Sequence, residues 1–398
     1  MSLRPRMVQP EVETATRSAL WDRIRPALSG LVSGLGLPVP QSPGCLAELP
    51  FTHKSHLQGF DSFRVPRRAL VRLHSSSGTA GPRTLVGYTA ADLALWTRLV
   101  ARGLAAVGVN EDSVVYSVLG HGLFTGGFGF TQAATALGAL VVPGGGARSA
   151  VHVAMMRQVC PDVLFATPSY ALHLARAHGP VPPISLGVFG AEPWSEADRR
   201  ALSREYGMQA VDTYGLSEAI GPGVAFECPE HNGLHLNADA FWPEVVDADG
   251  QPVRDGTEGE LVLSAPTKEA LPLLRYRTGD RTRLDWSPCP CGRTLPRMSR
   301  VTGRVDEMVV VRGVNVRPSQ VSAALSAHPS TGWQLEVSRG ATGLDELAIV
   351  VESALPEVVF DKLQDALGLR LVQRVVPILP HSGGKAVRLV DLRAEGQP

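Results

Sequence analysis

The segment Ser75-Ser-Ser-Gly-Thr-Ala-Gly-Pro-Arg83-Thr84 stacks hydroxyls and glycines into one turn. In such a turn, backbone N–H groups can come close to a phosphate while side-chain hydroxyls donate to its oxygens. No Lys follows the last Gly, so this is not the Gly-x4-Gly-Lys-Ser/Thr loop of common nucleotide hydrolases. On composition alone, a surface Ser/Gly loop accounts for it better. Near the other end, a lone Lys385 sits in Ser382-Gly-Gly-Lys-Ala-Val-Arg388. A compact ammonium can hold two anions together, although composition favours a solvated lysine in a Gly-rich loop. A third cluster looks like metal ligands: Cys228, His231 and His235 precede Cys289-Pro-Cys291-Gly292, and Cys-x-Cys-Gly is a tight knuckle presenting two sulfurs. One more Cys and a His would complete a tetrahedral structural zinc site; reduced, unliganded thiols in a loop are the alternative.

Four further segments place polar residues among glycines. They are Phe189-Gly-Ala-Glu192-Pro-Trp194, Asp212-Thr-Tyr214-Gly-Leu-Ser-Glu218, Arg275-Tyr-Arg-Thr-Gly-Asp280, and Gly303-Arg304-Val-Asp306-Glu-Met followed by Arg312-Gly-Val-Asn315. In order and spacing, together with the hydroxyl-rich turn and Lys385, they resemble the phenylacetate-CoA ligases of the adenylate-forming superfamily. The resemblance runs from Leu49-Pro-Phe-Thr-His-Lys54 to Asp391-Leu-Arg393, nearly the whole chain. It implies that an aryl carboxylic acid is joined to the α-phosphate of ATP with release of pyrophosphate. The acyl group then passes from AMP to a thiol, either CoA or the phosphopantetheine of an acyl or peptidyl carrier protein. A non-catalytic nucleotide-binding scaffold with the same fold is the alternative, and Glu218, Asp280, Arg304 and Lys385 together speak against it. A serine hydrolase finds no support, because Gly215-Leu-Ser217-Glu-Ala lacks the second Gly of a nucleophile elbow.

By that resemblance Ser75, Ser76, Ser77, Gly78 and Thr79 hold the β and γ phosphates, and Glu218 gives Mg²⁺ a hard oxygen ligand. Gly190, Ala191, Glu192 and Pro193, with Asp212, Thr213 and Tyr214, match the adenine slot; in isolation Tyr214 would more often be core. Asp280 matches the aspartate that accepts both ribose hydroxyls, though without the match it reads equally well as a turn residue after Gly279. Arg304 binds ribose or phosphate, and Asp306 is the hinge about which a small domain carrying Lys385 rotates between the two half-reactions. Lys385 would bridge the attacking carboxylate and the α-phosphate, offsetting charge in the transition state. Some relatives carry a similar sulfur cluster, and the spacing suggests Cys228, His235, Cys289 and Cys291, with His231 as the competing ligand, stapling a β-rich part. Tyr116 to Phe130 aligns with the wall that receives the acyl group. Leu119, His121 and Phe124, with Gly215, are its substrate-facing residues, while Phe128 and Phe130 read as core. Relatives acting on phenylacetate tend to have tyrosines where Leu119 and His121 stand, so a hydroxy- or aminobenzoate type of acid is expected, with His121 facing the ring substituent. A lone His is more often merely packed.

Those residues need a scaffold. Short apolar runs at Val114–Val118, Ala139–Val142, Asp162–Phe165, Ile184–Phe189 and Gln209–Thr213 alternate with helix-like Ser149–Gln158 and Ser195–Tyr206, the mark of βαβ units around a parallel sheet. Helices are also expected at Val12–Leu31 and after the Thr89/Asp92 cap. Past Gly221 the texture is β-rich, and from residue 304 a small α+β domain runs to 398, with strands at Met308–Val311, Leu335–Val337 and Leu347–Val351 and helices near Pro318–His328 and Glu357–Leu367. The expected class is therefore α/β: a large domain over residues 1–303 of βαβ layers with a β-rich subdomain, and a small mobile α+β domain over 304–398. The 398 residues carry 38 basic and 38 acidic side chains, so no net charge draws the chain to nucleic acid or anionic lipid. Five Cys are too few for a secreted disulfide framework, and Met1 to Arg6 is not followed by an apolar stretch. The uncharged run Ser113–Ala147 is broken by Gly, His121, Gln132 and Pro143 and reads as sheet interior rather than a membrane span. A cytoplasmic monomer or homodimer is expected, with no membrane and no nucleic-acid partner.

Overall fold

A computed structural model describes residues 15–75, 84–177, 180–305, 309–311, 314–326, 332–339, 345–379, 381–382 and 385–393. The predicted apolar runs become five parallel strands, in the order Leu140–Pro143, Val114–Ser117, Val163–Ala166, Leu186–Gly190, Gln209–Leu216. Four antiparallel strands extend the sheet to nine: Gly221–Glu227, Leu234–Leu236, Arg297–Met298 and Leu284–Asp285. The strand Val163–Ala166 is buried along its length, as a parallel strand covered on both faces must be.

The helix Ala90–Ala106 begins at a capping box in which Thr89 accepts from the Asp92 N–H and Asp92 accepts from the Thr89 N–H, as the sequence predicts. Ser195 and Asp198 make the same box for Glu196–Tyr206, which stops at Gly207 in the left-handed region. The first helix runs Arg17–Gly34, capped by Thr16 and burying Leu20, Ile24, Leu28 and Val32 at four-residue spacing, while the start of the expected range, 12–14, lies outside the described residues.

The expected acyl wall contains a helix the sequence did not signal, Gly126–Ala136. Three glycines in its first turn oppose helix formation, and close packing is what overrides them. A Cβ on Gly127 would lie 2.4 Å from the Gly120 carbonyl oxygen, and one on Gly129 2.5 Å from the Trp96 ring.

A second, antiparallel sheet orders Trp242–Val246, Gly259–Ala265, Leu273–Thr282 and Gly303–Arg304. The C-terminal part has its own four-stranded sheet, Val372–Val375, Asp345–Val351, Trp333–Arg339 and Leu389–Asp391, with helices Pro318–Leu325 and Glu357–Leu367. Val311, Val321, Leu335, Ile349 and Leu363 are among the residues of a core it does not share with the rest. Because Arg304 pairs with Asp280 in the second sheet, it belongs structurally to the preceding part, and the separate core starts at Val309. Among the described residues, no helix is long and apolar enough to cross a membrane.

Gly129→Ala should lower the urea midpoint by an amount equivalent to about 1–3 kcal/mol, since the methyl overpacks against Trp96 and Pro222. A midpoint equal to the parent's would show that the indole yields freely.

Candidate active site

One carboxylate joins three of the predicted motifs. Asp280, near the end of the strand Leu273–Thr282, is buried and accepts the Tyr214 hydroxyl at 2.6 Å and an Arg304 guanidinium N–H at 2.7 Å. Burial and the neighbouring Asp280 charge hold the Tyr214 phenol well above its usual range, so it remains a donor.

The adjoining backbone is as tight as the glycine motifs suggest. A Cβ on Gly190 would lie 2.6 Å from the Thr213 hydroxyl, and Ala191 takes φ +72°, a conformation unusual for an L-residue. Glu192 turns away to accept the Ser169 N–H at 2.7 Å. Pro193 is exposed beside it. Two predicted side chains serve the scaffold: Thr213 donates to the Phe189 carbonyl at 2.9 Å, and the Asp212 carboxylate lies 3.4 Å from Arg300. Burial pushes the Asp212 carboxyl up to about 8, with the Trp194 indole and Arg199 pulling it back down and Glu227 adding repulsion. From this stretch, the Tyr214 ring and the main chain remain to face a ligand.

Glu218 sits on the turn after Tyr214, its side chain almost fully buried, and Lys54 reaches its carboxylate at 3.2 Å. Two lysines that sequence reasoning gave no role converge here. Lys54 lies in the Pro-Phe-Thr-His-Lys segment, and Lys268, buried, donates to the Glu218 carbonyl at 3.2 Å. Burial draws the Lys268 ammonium down to about 8, the charges of Asp92 and Glu218 partly opposing this. Nothing in the sequence marks Lys268 as buried, since lysine is ordinarily a surface residue.

Ser75 ends the strand Arg72–Ser75, and its N–H donates to the Leu123 carbonyl at 3.0 Å. His74 beside it contacts the same carbonyl through Nδ1 at 3.2 Å. The start of the hydroxyl-rich turn is thereby tied to the predicted acyl wall. Ser76, Ser77, Gly78 and Thr79 lie outside the described residues, as does Asp306. Lys385 begins a short strand paired with His381–Ser382, and that strand lies beside the helix Pro168–Ala177. Arg388 follows it, stacked over the Trp333 ring at 4.6 Å and donating to the Trp333 carbonyl.

On the predicted acyl wall, Leu119, His121 and Phe124 are all half-buried. His121 lies edge-on to Phe128 and 3.3 Å from the Thr131 hydroxyl, and burial lowers its pKa, favouring the neutral ring. Gly215 is fixed by packing: a Cβ there would lie 2.0 Å from the Gly221 carbonyl oxygen.

Cys228, His235, Cys289 and Cys291 place their ligand atoms within 4.8 Å of one another. The Cys228 and Cys289 sulfurs are 3.9 Å apart, and the Cys291 sulfur is 3.3 Å from His235 Nε2. Tetrahedral zinc with sulfur at ~2.3 Å sets ligand atoms roughly 3.8 Å apart, which the pair of Cys228 and Cys289 sulfurs matches. His235 Nδ1 faces the Leu295 carbonyl at 3.4 Å, orienting Nε2 inward, and burial lowers this imidazole to about 4. The competing His231 is outside the set, held by Glu227 at 3.2 Å and Arg199 at 2.9 Å.

A family model for AMP-binding enzymes matches residues 47–268. The chain is 40% identical to the phenylacetate-coenzyme A ligase of Thermus thermophilus, covering 97% of this chain and 100% of that one. It is 42% identical to the Escherichia coli phenylacetate-coenzyme A ligase, over 87% and 85% of the two chains. Among solved structures, 2-hydroxyisobutyryl-CoA ligase in the postadenylation state with R3-HIB-AMP has TM-score 0.82 at 24% identity, covering 97% of this chain and 91% of that one. The same ligase in complex with 2-HIB-AMP and CoA in the thioesterification state gives 0.68 at 25% identity, over the same shares.

Tyr214→Phe should lower stability by about 1–2 kcal/mol, because it removes a hydrogen bond to a buried carboxylate. Chemical denaturation measures this, and an unchanged midpoint would show that the hydroxyl is not held in solution.

Proposed function

Because the chain belongs to the AMP-binding enzymes, as a phenylacetate-CoA ligase-like member, it activates a carboxylic acid with ATP and forms a CoA thioester, and we propose that its acid is a substituted aryl carboxylate handled by the residues around Asp280, Glu218 and Lys385. The observation that carries the site assignment is the meeting of Tyr214, Asp280 and Arg304, far apart in sequence, four residues from Glu218.

In the first half-reaction a carboxylate oxygen forms a bond to the α-phosphorus while the bond to the pyrophosphate oxygen breaks. Anion must approach anion, so positioning and charge neutralisation supply the rate. The main chain at Gly190–Pro193 and the Tyr214 ring would flank adenine, Asp280 would accept the ribose hydroxyls with Arg304 beside it, and the turn from Ser75 to Thr79 would cradle the outer phosphates. Glu218 would hold Mg²⁺, which when bound would supply charge neutralisation to the phosphates. Lys385 would hold the carboxylate against the α-phosphate. In the second half-reaction the CoA sulfur bonds to the acyl carbon and AMP leaves. Rotation about Asp306 would withdraw Lys385 and admit the thiol. The higher similarity to a postadenylation than to a thioesterification state of one solved ligase supports reading this conformation as the earlier of the two.

For the acid, the departure at Leu119 and His121 is the guide. A neutral imidazole can donate to or accept from a ring hydroxyl or amino group, which phenylacetate lacks. Leu119, Phe124 and exposed Gly215 would leave room for a flat ring.

For the metal, we read Cys228, His235, Cys289 and Cys291 as the ligands of one structural zinc ion. All four positions come from protein, so the site is closed, and it joins the strand Leu234–Leu236 to the Cys289–Cys291 knuckle.

Lys385→Ala should cut pyrophosphate release by about 10²–10³ while leaving thioester formation from supplied acyl-adenylate within a few-fold; equal loss of both steps refutes the role. On the parent enzyme, hydroxy- and aminobenzoates should exceed phenylacetate in kcat/KM, with product mass reporting the CoA thioester. No pyrophosphate from any acid, despite ATP binding, would favour a scaffold. Metal analysis should find about one zinc per chain, lost in Cys289→Ser with a lower thermal midpoint. Zinc-free protein as stable as the parent would dismiss the ion.

A further inference from the structure

The turn Ser217–Ile220 that carries Glu218 is held from beneath by side chains of separate elements. The Tyr88 hydroxyl donates to the Ile220 carbonyl at 2.9 Å, the Thr125 and Ser217 hydroxyls lie 3.1 Å apart, and Lys268 Nζ donates to the Glu218 carbonyl at 3.2 Å. Lys268 alone among these is a cation, and it is 1% exposed. Its backbone is clamped, since Asp92 accepts the next two N–H groups, of Glu269 and Ala270, at 2.7 and 3.0 Å. Its ammonium lies 4.6 Å from the centre of the Tyr88 ring, which stacks on Trp96.

Burying an ammonium is unfavourable unless it is well partnered, and a methionine would fill much the same space without that penalty. A carbonyl and a ring face do not by themselves explain the charge. The carboxylates whose charges favour it are Asp92, already accepting the Thr89, Glu269 and Ala270 N–H groups, and Glu218, which Lys54 also reaches at 3.2 Å. About half of the Lys54 side chain is exposed, so it can swing away, whereas Lys268 has no such freedom.

We propose that Lys268 is a positioning residue for Glu218: its buried ammonium anchors the Glu218 carbonyl and so fixes the direction in which the carboxylate is presented to Mg²⁺. This rests on Glu218 as the Mg²⁺ ligand. Lys268 acts through the turn, by its contact with the Glu218 carbonyl.

The test is a Mg²⁺ titration of ATP- and acid-dependent pyrophosphate release, with Lys268→Met, Lys268→Gln and Glu218→Gln beside the parent. Lys268→Met should raise the half-saturating Mg²⁺ concentration about tenfold, the scale of supporting residues at metal sites, with a much smaller change in kcat at saturating Mg²⁺. Its thermal midpoint should move little, because losing the contacts is offset by losing the buried charge. An unshifted Mg²⁺ curve overturns the proposal, as does a fall in kcat alone. Should Lys268→Met not fold, Lys268→Gln, still polar but neutral and shorter, is expected to show the same shift and overturns the proposal if it does not. Glu218→Gln separates the two ideas: if it leaves the Mg²⁺ curve unchanged, the metal role of Glu218 fails, and if it shifts the curve while neither Lys268 variant does, only the positioning role fails.

Discussion

The Asp280 carboxylate ties the molecule together at its centre. Tyr214 reaches it from the nine-stranded sheet, its own strand belongs to the antiparallel sheet, and Arg304 approaches from the last strand before the separate C-terminal core. The register makes this arrangement specific, since Asp280 stands directly opposite Arg304 across the pair of strands. Sliding that pair by one residue would turn Arg304 to the other face of the sheet and leave a buried carboxylate short of its cation. The geometry of this one group therefore depends on both sheets being correctly assembled.

Close backbone approach is the second constraint. Gly190 lies against Thr213, Gly215 against Gly221, and Gly127 against Gly120, each at distances that no Cβ would tolerate. These contacts bring the ends of the strands Leu186–Gly190 and Gln209–Leu216 together, where open parallel sheets characteristically form their crevices. The glycines that resemble binding motifs in the sequence thus have a packing reason of their own. Ala191, at positive φ with no glycine to relieve it, marks the place where the chain accepts strain to keep that shape.

Much of this was legible in the sequence because it is periodic or local. The alternation of apolar runs and helical stretches gave every parallel strand, and Thr89 with Asp92, three residues apart, announced the start of its helix. The cysteine cluster was legible because sulfur in a Cys-x-Cys-Gly knuckle has few other uses. What remained hidden depends on tertiary contacts. Three glycines concealed the helix Gly126–Ala136, whose stability comes from Trp96 and Gly120 pressing on it. That the Asp212 and Thr213 side chains turn to Arg300 and Phe189, leaving main chain for the adenine slot, could not be read from the motif. Lys54 and Lys268 gain their importance only from meeting Glu218, and the preference for His235 over His231 as the sulfur partner rested on spacing alone until Glu227 was seen to hold the latter.

Arg388 of the C-terminal core feels charges that belong to the larger part. Burial lowers its guanidinium pKa, and the charges of Glu192, Asp198 and Glu352 only partly oppose that effect. Glu192 and Asp198 are already committed elsewhere, the first to the Ser169 N–H and the second to the Ser195 cap. A cation held mainly by a carbonyl and an aromatic face of its own core, with borrowed anions nearby, is a polar contact with a desolvation penalty. Interfaces of that kind favour relative motion of the bodies they join. On the proposed reading this is what the chemistry requires, because a lysine that serves only the first half-reaction must be carried on a body that can leave.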